Sequence, residues 1–289
     1  MTPDIAWPHT ATGFEYCEGW MAFDIREQTD RSSAVTPDGI DLDAFVGRPM
    51  STHTVRCLRF LCSVERHTIR HLRDVLVTPS HTDPVVTEFL SGWAFQEFWL
   101  AESLDAVLAR HPPPKAHPPP QQLRVAQELR DRFAPVRQSL LANLIGEDFV
   151  AIHMAWAYLD SWVTGTAYAR AAENEDHPEL TALIERIRAV KTLHRDFYAD
   201  QALHRLSGSR RARTLTRRAL SLVWRPPGAS IHAKAETRFV LHHLFDGNDP
   251  RRFDAKLDTL PGLDGLRIVS SAMATFGVIP PNTHGAVRP

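Results

Sequence analysis

A helical period sustained over four long stretches, with no period-two alternation of any length, constrains this chain more than any other feature. Leu58, Leu61, Val64, Ile69, Leu72 and Leu76 form one stripe that begins after Thr52 and ends near "TPSHTDP". Asp83 then offers an N-cap and Pro84 a proline at the first helical position, so a second helix runs through Phe89, Trp93, Leu100, Leu104 and Leu108. A third is expected from about Glu147 to Ala172 on Ile152, Trp156, Leu159, Val163 and Ala167, and a fourth from about Glu179 to Leu206. "HPPPKAHPPP" (111–120) lacks backbone donors and favours an extended chain. It therefore breaks the second helix as a stiff connector, a polyproline ligand being the lesser alternative. A connecting helix from Gln121 to about Leu144 follows it.

The expected architecture is all-α, a four-helix bundle with additional N- and C-terminal elements in a single domain. Residues 1–50 read as an irregular arm, 51–206 as the four-helix core, and 207–289 as a helical extension packed on it. A formal net charge of -1 over 289 residues argues against nucleic acid or an anionic membrane as the main partner. The basic stretch "SGSRRARTLTRRAL" reads as the solvated face of an amphipathic helix. No apolar run approaches the roughly 20 residues that span a bilayer. Cys17, Cys57 and Cys62 lack metal-finger spacing, and the N-terminus shows no secretory pattern, so a reduced, cytoplasmic protein is expected.

Each core helix carries polar residues on its apolar seam. Glu65 lies four after Leu61 and seven before Leu72, and Glu97 four after Trp93 and seven before Leu104. Asp160 lies seven beyond His153, and Ser161 four beyond Ala157. In "IRAVKTLHRDFY" Lys191 stands one turn before His194. A buried charge needs a partner. Four helices repeating the pattern point to a polar pocket inside the bundle, the alternative being scattered edge positions that reach solvent.

The stretches "CLRFLCSVERHTIRHLRDVL", "FLSGWAFQEFWLAESL", "HMAWAYLDSWVTGTAYARAA" and "HPELTALIERIRAVKTLHRDFYADQALHRL" together resemble the ferritin-like superfamily of carboxylate-bridged di-iron proteins, in particular oxidase-type members. The resemblance covers about Thr52 to Leu266. It implies a Glu on each of two helices and a Glu-x-x-His pair on each of the other two, around two metals. Carried over, Glu65 and Glu97 match Glu positions, but the histidine partner of Glu97 is Leu100. The third-helix Glu position is Ser161, beside Asp160, and the fourth is Lys191, with His194 retained. Dication affinity falls as anionic ligands disappear, and a lysine ammonium could instead neutralise Glu65, Glu97 and Asp160.

The first expectation is therefore a degenerate, metal-free site without cofactor. Lys191, His194, Glu97, Glu65 and Asp160 would be its catalytic groups, and Leu100, Ser161, His153, Trp93 and Tyr198 would line a substrate pocket. The reaction would be acid–base chemistry on a small molecule (cyclisation, isomerisation, elimination or condensation), and the resemblance sets it in specialised metabolism. Lys191 as a Schiff-base nucleophile is a lesser variant. Iron held by Glu65, Glu97, Asp160 and His194 is the alternative, and a non-catalytic partner of an active homologue is the third reading. A homodimer is left open. His67 and His71 read as surface histidines, Tyr168 as a core residue with a hydrogen-bonded hydroxyl, and Trp99, Trp156 and Trp162 as core filler.

Overall fold

Caps and prolines set where the long helices begin. The computed structural model describes residues 34–75, 78–113 and 145–278, and among these the chain is all-α, with nine α-helices and no strand. The four long ones are α2 (Thr52–Val75), α3 (Pro84–Leu108), α4 (Asp148–Glu173) and α5 (Pro178–Gly208), preceded by the single turn α1 (Ala44–Gly47). Asp83 caps α3 by accepting from the Val86 N–H at 3.0 Å, as its sequence implies. At α5 the cap is the imidazole of His177, whose Nδ1 accepts from the Leu180 N–H at 3.3 Å. Its Nε2 donates to the Arg48 carbonyl and its ring stacks on the buried Phe45, so the segment before α2 is fastened to the entry of α5.

The long helices pack as two pairs, α2 on α3 and α4 on α5, with α2 also meeting α4 and α3 meeting α5. Contacts from Cys62 to Asp105 and from Arg66 to Glu102 show α2 and α3 antiparallel, as a short connection between helices favours. Leu58, Leu61, Phe89, Leu100, Leu104, Leu159, Leu183 and Ile187 fill the shared core. The chain beyond adds α6 (Arg210–Val223), α7 (Lys234–Leu244), α8 (Asp249–Leu257) and α9 (Ile268–Ala274). Both α6 and α8 pack on α4, and α7 reaches α2 and α4. Cys57 and Cys62 are buried free thiols. Among the described residues no helix is long and apolar enough to cross a membrane.

Several sequence expectations lie outside the described residues: positions 1–33 of the arm with Cys17, most of the proline stretch, the connecting helix Gln121–Leu144, Leu76, residues 279–289, and the side chains of Ile69 and His71. Within "WRPPG", by contrast, the turn is tightly specified. Gly228 adopts φ +84°, and a Cβ there would meet Phe60 Cζ at 2.3 Å. Gly228→Ala combines left-handed strain with overpacking against α2. It should lower unfolding free energy by roughly 1–3 kcal/mol in a urea titration.

Candidate functional site

The interior of the paired helices holds a charged cluster built from all four. Lys191, on α5, has its ammonium between two carboxyl groups. Nζ donates to Glu65 Oε2 at 2.8 Å and to Glu97 Oε1 and Oε2 at 2.8 and 2.7 Å. Glu65 comes from α2 and Glu97 from α3, each 1–2% exposed. From α4 the Tyr168 hydroxyl donates to Glu65 Oε1 at 2.8 Å. The sequence marked Tyr168 only as a core residue; its position on the α4 seam was the available signal.

One turn after Lys191, His194 is fully enclosed and stands edge-on to Phe89. Its Nε2 lies 2.5 Å from Gln96 Oε1, which assigns the proton to Nε2. Nδ1 is 3.2 Å from Glu97 Oε1, but off the direction of a hydrogen bond, so its lone pair is unpaired. Burial, then the Lys191 charge, pushes the imidazole down to about 3 and keeps the ring neutral. Gln96, next to Glu97 in the chain, is a site residue that the sequence reading did not single out.

The electrostatics follow from enclosure. Burial, then the neighbouring Glu97 carboxylate, raises Glu65 to about 8 against the opposing pull of Lys191. Burial also pulls Lys191 down, but the charges of Glu65 and Glu97 and its hydrogen bonds to them outweigh it and hold the ammonium above its ordinary value. Lys191 is thus a stable cation and a poor amine nucleophile.

Asp160 departs from the expected arrangement. It does not join the lysine: Oδ2 accepts from Trp156 Nε1 at 3.0 Å and Oδ1 from Trp224 Nε1 at 2.8 Å. Burial raises it to about 7 despite these two donors. The physical reason is Trp224, which follows α6, packs 1% exposed against the core and turns the carboxyl toward itself. The pocket residues also divide. Leu100 is fully buried core, Tyr198 is buried edge-on to Phe89, and Trp93 packs half-buried against the core. His153 meets Ser80 Oγ at 3.1 Å. Ser161 lines open space.

That space is a cleft of about 300 Å³ between α4, α5 and α8, with Ser161 and Lys191 in its wall. Lys191 therefore faces the carboxyls on one side and the cleft on the other. The residues present do not fit the metal pair that the sequence resemblance implies, because the Lys191 ammonium stands where Glu65 and Glu97 converge. A single metal on Glu65, Glu97, Asp160 and His194 would require Asp160 to leave both indoles and Lys191 to withdraw.

No protein-family model, curated protein or solved structure matches the chain.

The cluster gives a signed pH dependence. Glu65 has a folded value raised from 4.5 to about 8, so its stability contribution is present below 4.5 and lost as pH rises through 8. Asp160 acts in the same direction up to about 7. His194, lowered from 6.5, works oppositely, but its effect is complete by about pH 6.5. Stability should therefore fall between about pH 6.5 and 8, read as a declining urea midpoint. Glu65→Gln should flatten that decline, and an unchanged slope would contradict the assignment to Glu65.

Proposed function

We propose that the chain is a metal-independent acid–base enzyme acting on a small molecule. Its core would be a ferritin-like bundle in which Lys191 has taken the place of a metal-binding glutamate. The observation that carries this reading is Lys191 itself, bonded to Glu65 and Glu97 on its inner side and opening on the cleft on its outer side.

Lys191, the member of the cluster that lines the cleft, would be the group a substrate there meets. It would donate a hydrogen bond, then a proton, to a substrate atom that gains negative charge or leaves. Glu65, protonated near neutral pH and 2.8 Å from Nζ, would return a proton to the lysine, with Tyr168 stabilising the carboxylate so formed. That proton inventory suits elimination, isomerisation, cyclisation or condensation. Attack by a neutral lysine amine runs against the raised lysine value. The sequence resemblance to oxidase-type proteins would place the reaction in specialised metabolism.

Metal content of the purified chain and solvent-deuterium incorporation into candidate carbonyl substrates together test this. Iron and manganese should fall well below one per chain. Near-stoichiometric iron would replace the reading with a remodelled oxidase. Glu65→Gln should fold as the parent does and lose deuterium incorporation by about 10²–10⁴-fold, the range of general acid–base catalysis. Full turnover in that variant and in Lys191→Met would remove the cluster from the reaction, and no incorporation by the parent chain would leave a non-catalytic protein.

A further inference from the structure

The cleft outside Lys191 is unusually rich in positive charge for a chain of net charge -1. Six cations, Arg170, Arg188, Lys191, Arg195, Arg252 and Lys256, line it against two carboxylates, Glu173 and Asp249. Not all of that charge is free. Lys191 is bonded to Glu65 and Glu97, Arg170 to Glu173, Asp246 and Asp249, and Arg252 to Asp249. Arg195 pairs with its exposed neighbour Asp196, which lies outside the cleft wall. Arg188 and Lys256 have no carboxylate partner among the described residues.

Three helices aim these groups at one place. Arg188, Lys191 and Arg195 follow one another at helical spacing on α5, while Arg252 and Lys256 are one turn apart on α8. Trp162, on α4, gathers two of them: the Arg195 guanidinium carbon lies 4.3 Å from its ring centre and Lys256 Nζ 4.1 Å. The Trp162 Nε1–H is buried with no acceptor among the described residues, an arrangement that folded proteins seldom leave unmet. Beside it, a Cβ added at Gly165 would meet nothing within 4 Å, so the wall is open there.

We infer that this cleft binds the phosphate or diphosphate group of a small molecule, with Arg188, Arg195 and Lys256 as its charge partners. A single carboxylate is satisfied by one guanidinium fork, whereas several converging cations with two left unpaired suit a multiply charged anion. A volume of about 300 Å³ admits a small ligand, and a formal net charge of -1 argues against a polyanion as the main partner. The inference rests on the acid–base reading in one respect, that the bound group belongs to the substrate presented to Lys191.

Calorimetric titration of the full chain with inorganic pyrophosphate tests it. The expected result is saturable binding at one site, weakened about tenfold by Arg188→Ala and by Lys256→Ala, the loss of roughly one charge-assisted hydrogen bond in each. Both side chains lie outside the core, so both variants should fold. Gly165→Asp, which sets a carboxylate in the open wall, should weaken binding comparably. Absence of saturable heat at millimolar pyrophosphate, or affinity unchanged in all three variants, overturns the site. The heat is read without turnover, so the two readings fail separately. Pyrophosphate binding alongside full turnover in Glu65→Gln removes the chemistry and keeps the cleft; no heat alongside lost turnover does the reverse.

Discussion

The bonding of the Lys191 ammonium to Glu65 and Glu97 is the interaction on which the interior depends, because none of the three could be buried alone. An isolated charge in a protein interior is penalised by several kcal/mol, and the penalty is offset only where geometry and hydrogen bonds are complete. Here three donor contacts of 2.7–2.8 Å and the Tyr168 hydroxyl complete them. The network also fixes register. Glu65, Glu97, Tyr168 and Lys191 each come from a different long helix, so sliding any one helix by a residue would strand a buried charge. Stability alone does not account for such a cluster, since well-packed apolar residues of similar volume commonly do as well.

A second polar knot joins the later helices to the first four. Asp160 accepts from Trp156 on its own helix and from Trp224 at the end of α6. The carboxyl thereby anchors one of the largest buried side chains of the chain, and with it the turn that leads to α7. The two knots lie on neighbouring helices yet stay separate: one is charged and opens on a cleft, whereas the other is closed by indoles. Their chemistry differs accordingly. Asp160 has both carboxyl oxygens held by fixed indole donors, which suits a structural role, while Lys191 lines the cleft.

What the sequence revealed depended on whether a residue's partner lay on the same seam. Period and caps located the four long helices to within one or two residues, because Asp83–Pro84 and the spacing of apolar residues act locally. Glu65, Glu97 and Lys191 were legible as a group, since three charges on three apolar seams have few ways to be satisfied. Asp160 was not. Its register places it near the same interior, but its partner Trp224 sits 64 residues later, outside the four-helix core. Gln96 was hidden for a different reason: a neutral amide on a helix carries no penalty that a pattern can expose.

The cleft was the least legible feature, and the cause is topological. Arg188 and Arg195 lie on the exposed side of α5, where isolated arginines are unremarkable, and Lys256 belongs to a nine-residue helix with ordinary solvent-facing charge. They come together only because α8 folds back on α4 and brings its cations to Trp162. The same packing sets the limits of the buried cluster. Lys191 could be satisfied by the carboxyls alone, but the cations of α5 and α8 raise the local potential on its outer face and disfavour leaving that face unpaired. An anion bound there would complete the charge balance that the two carboxyls begin.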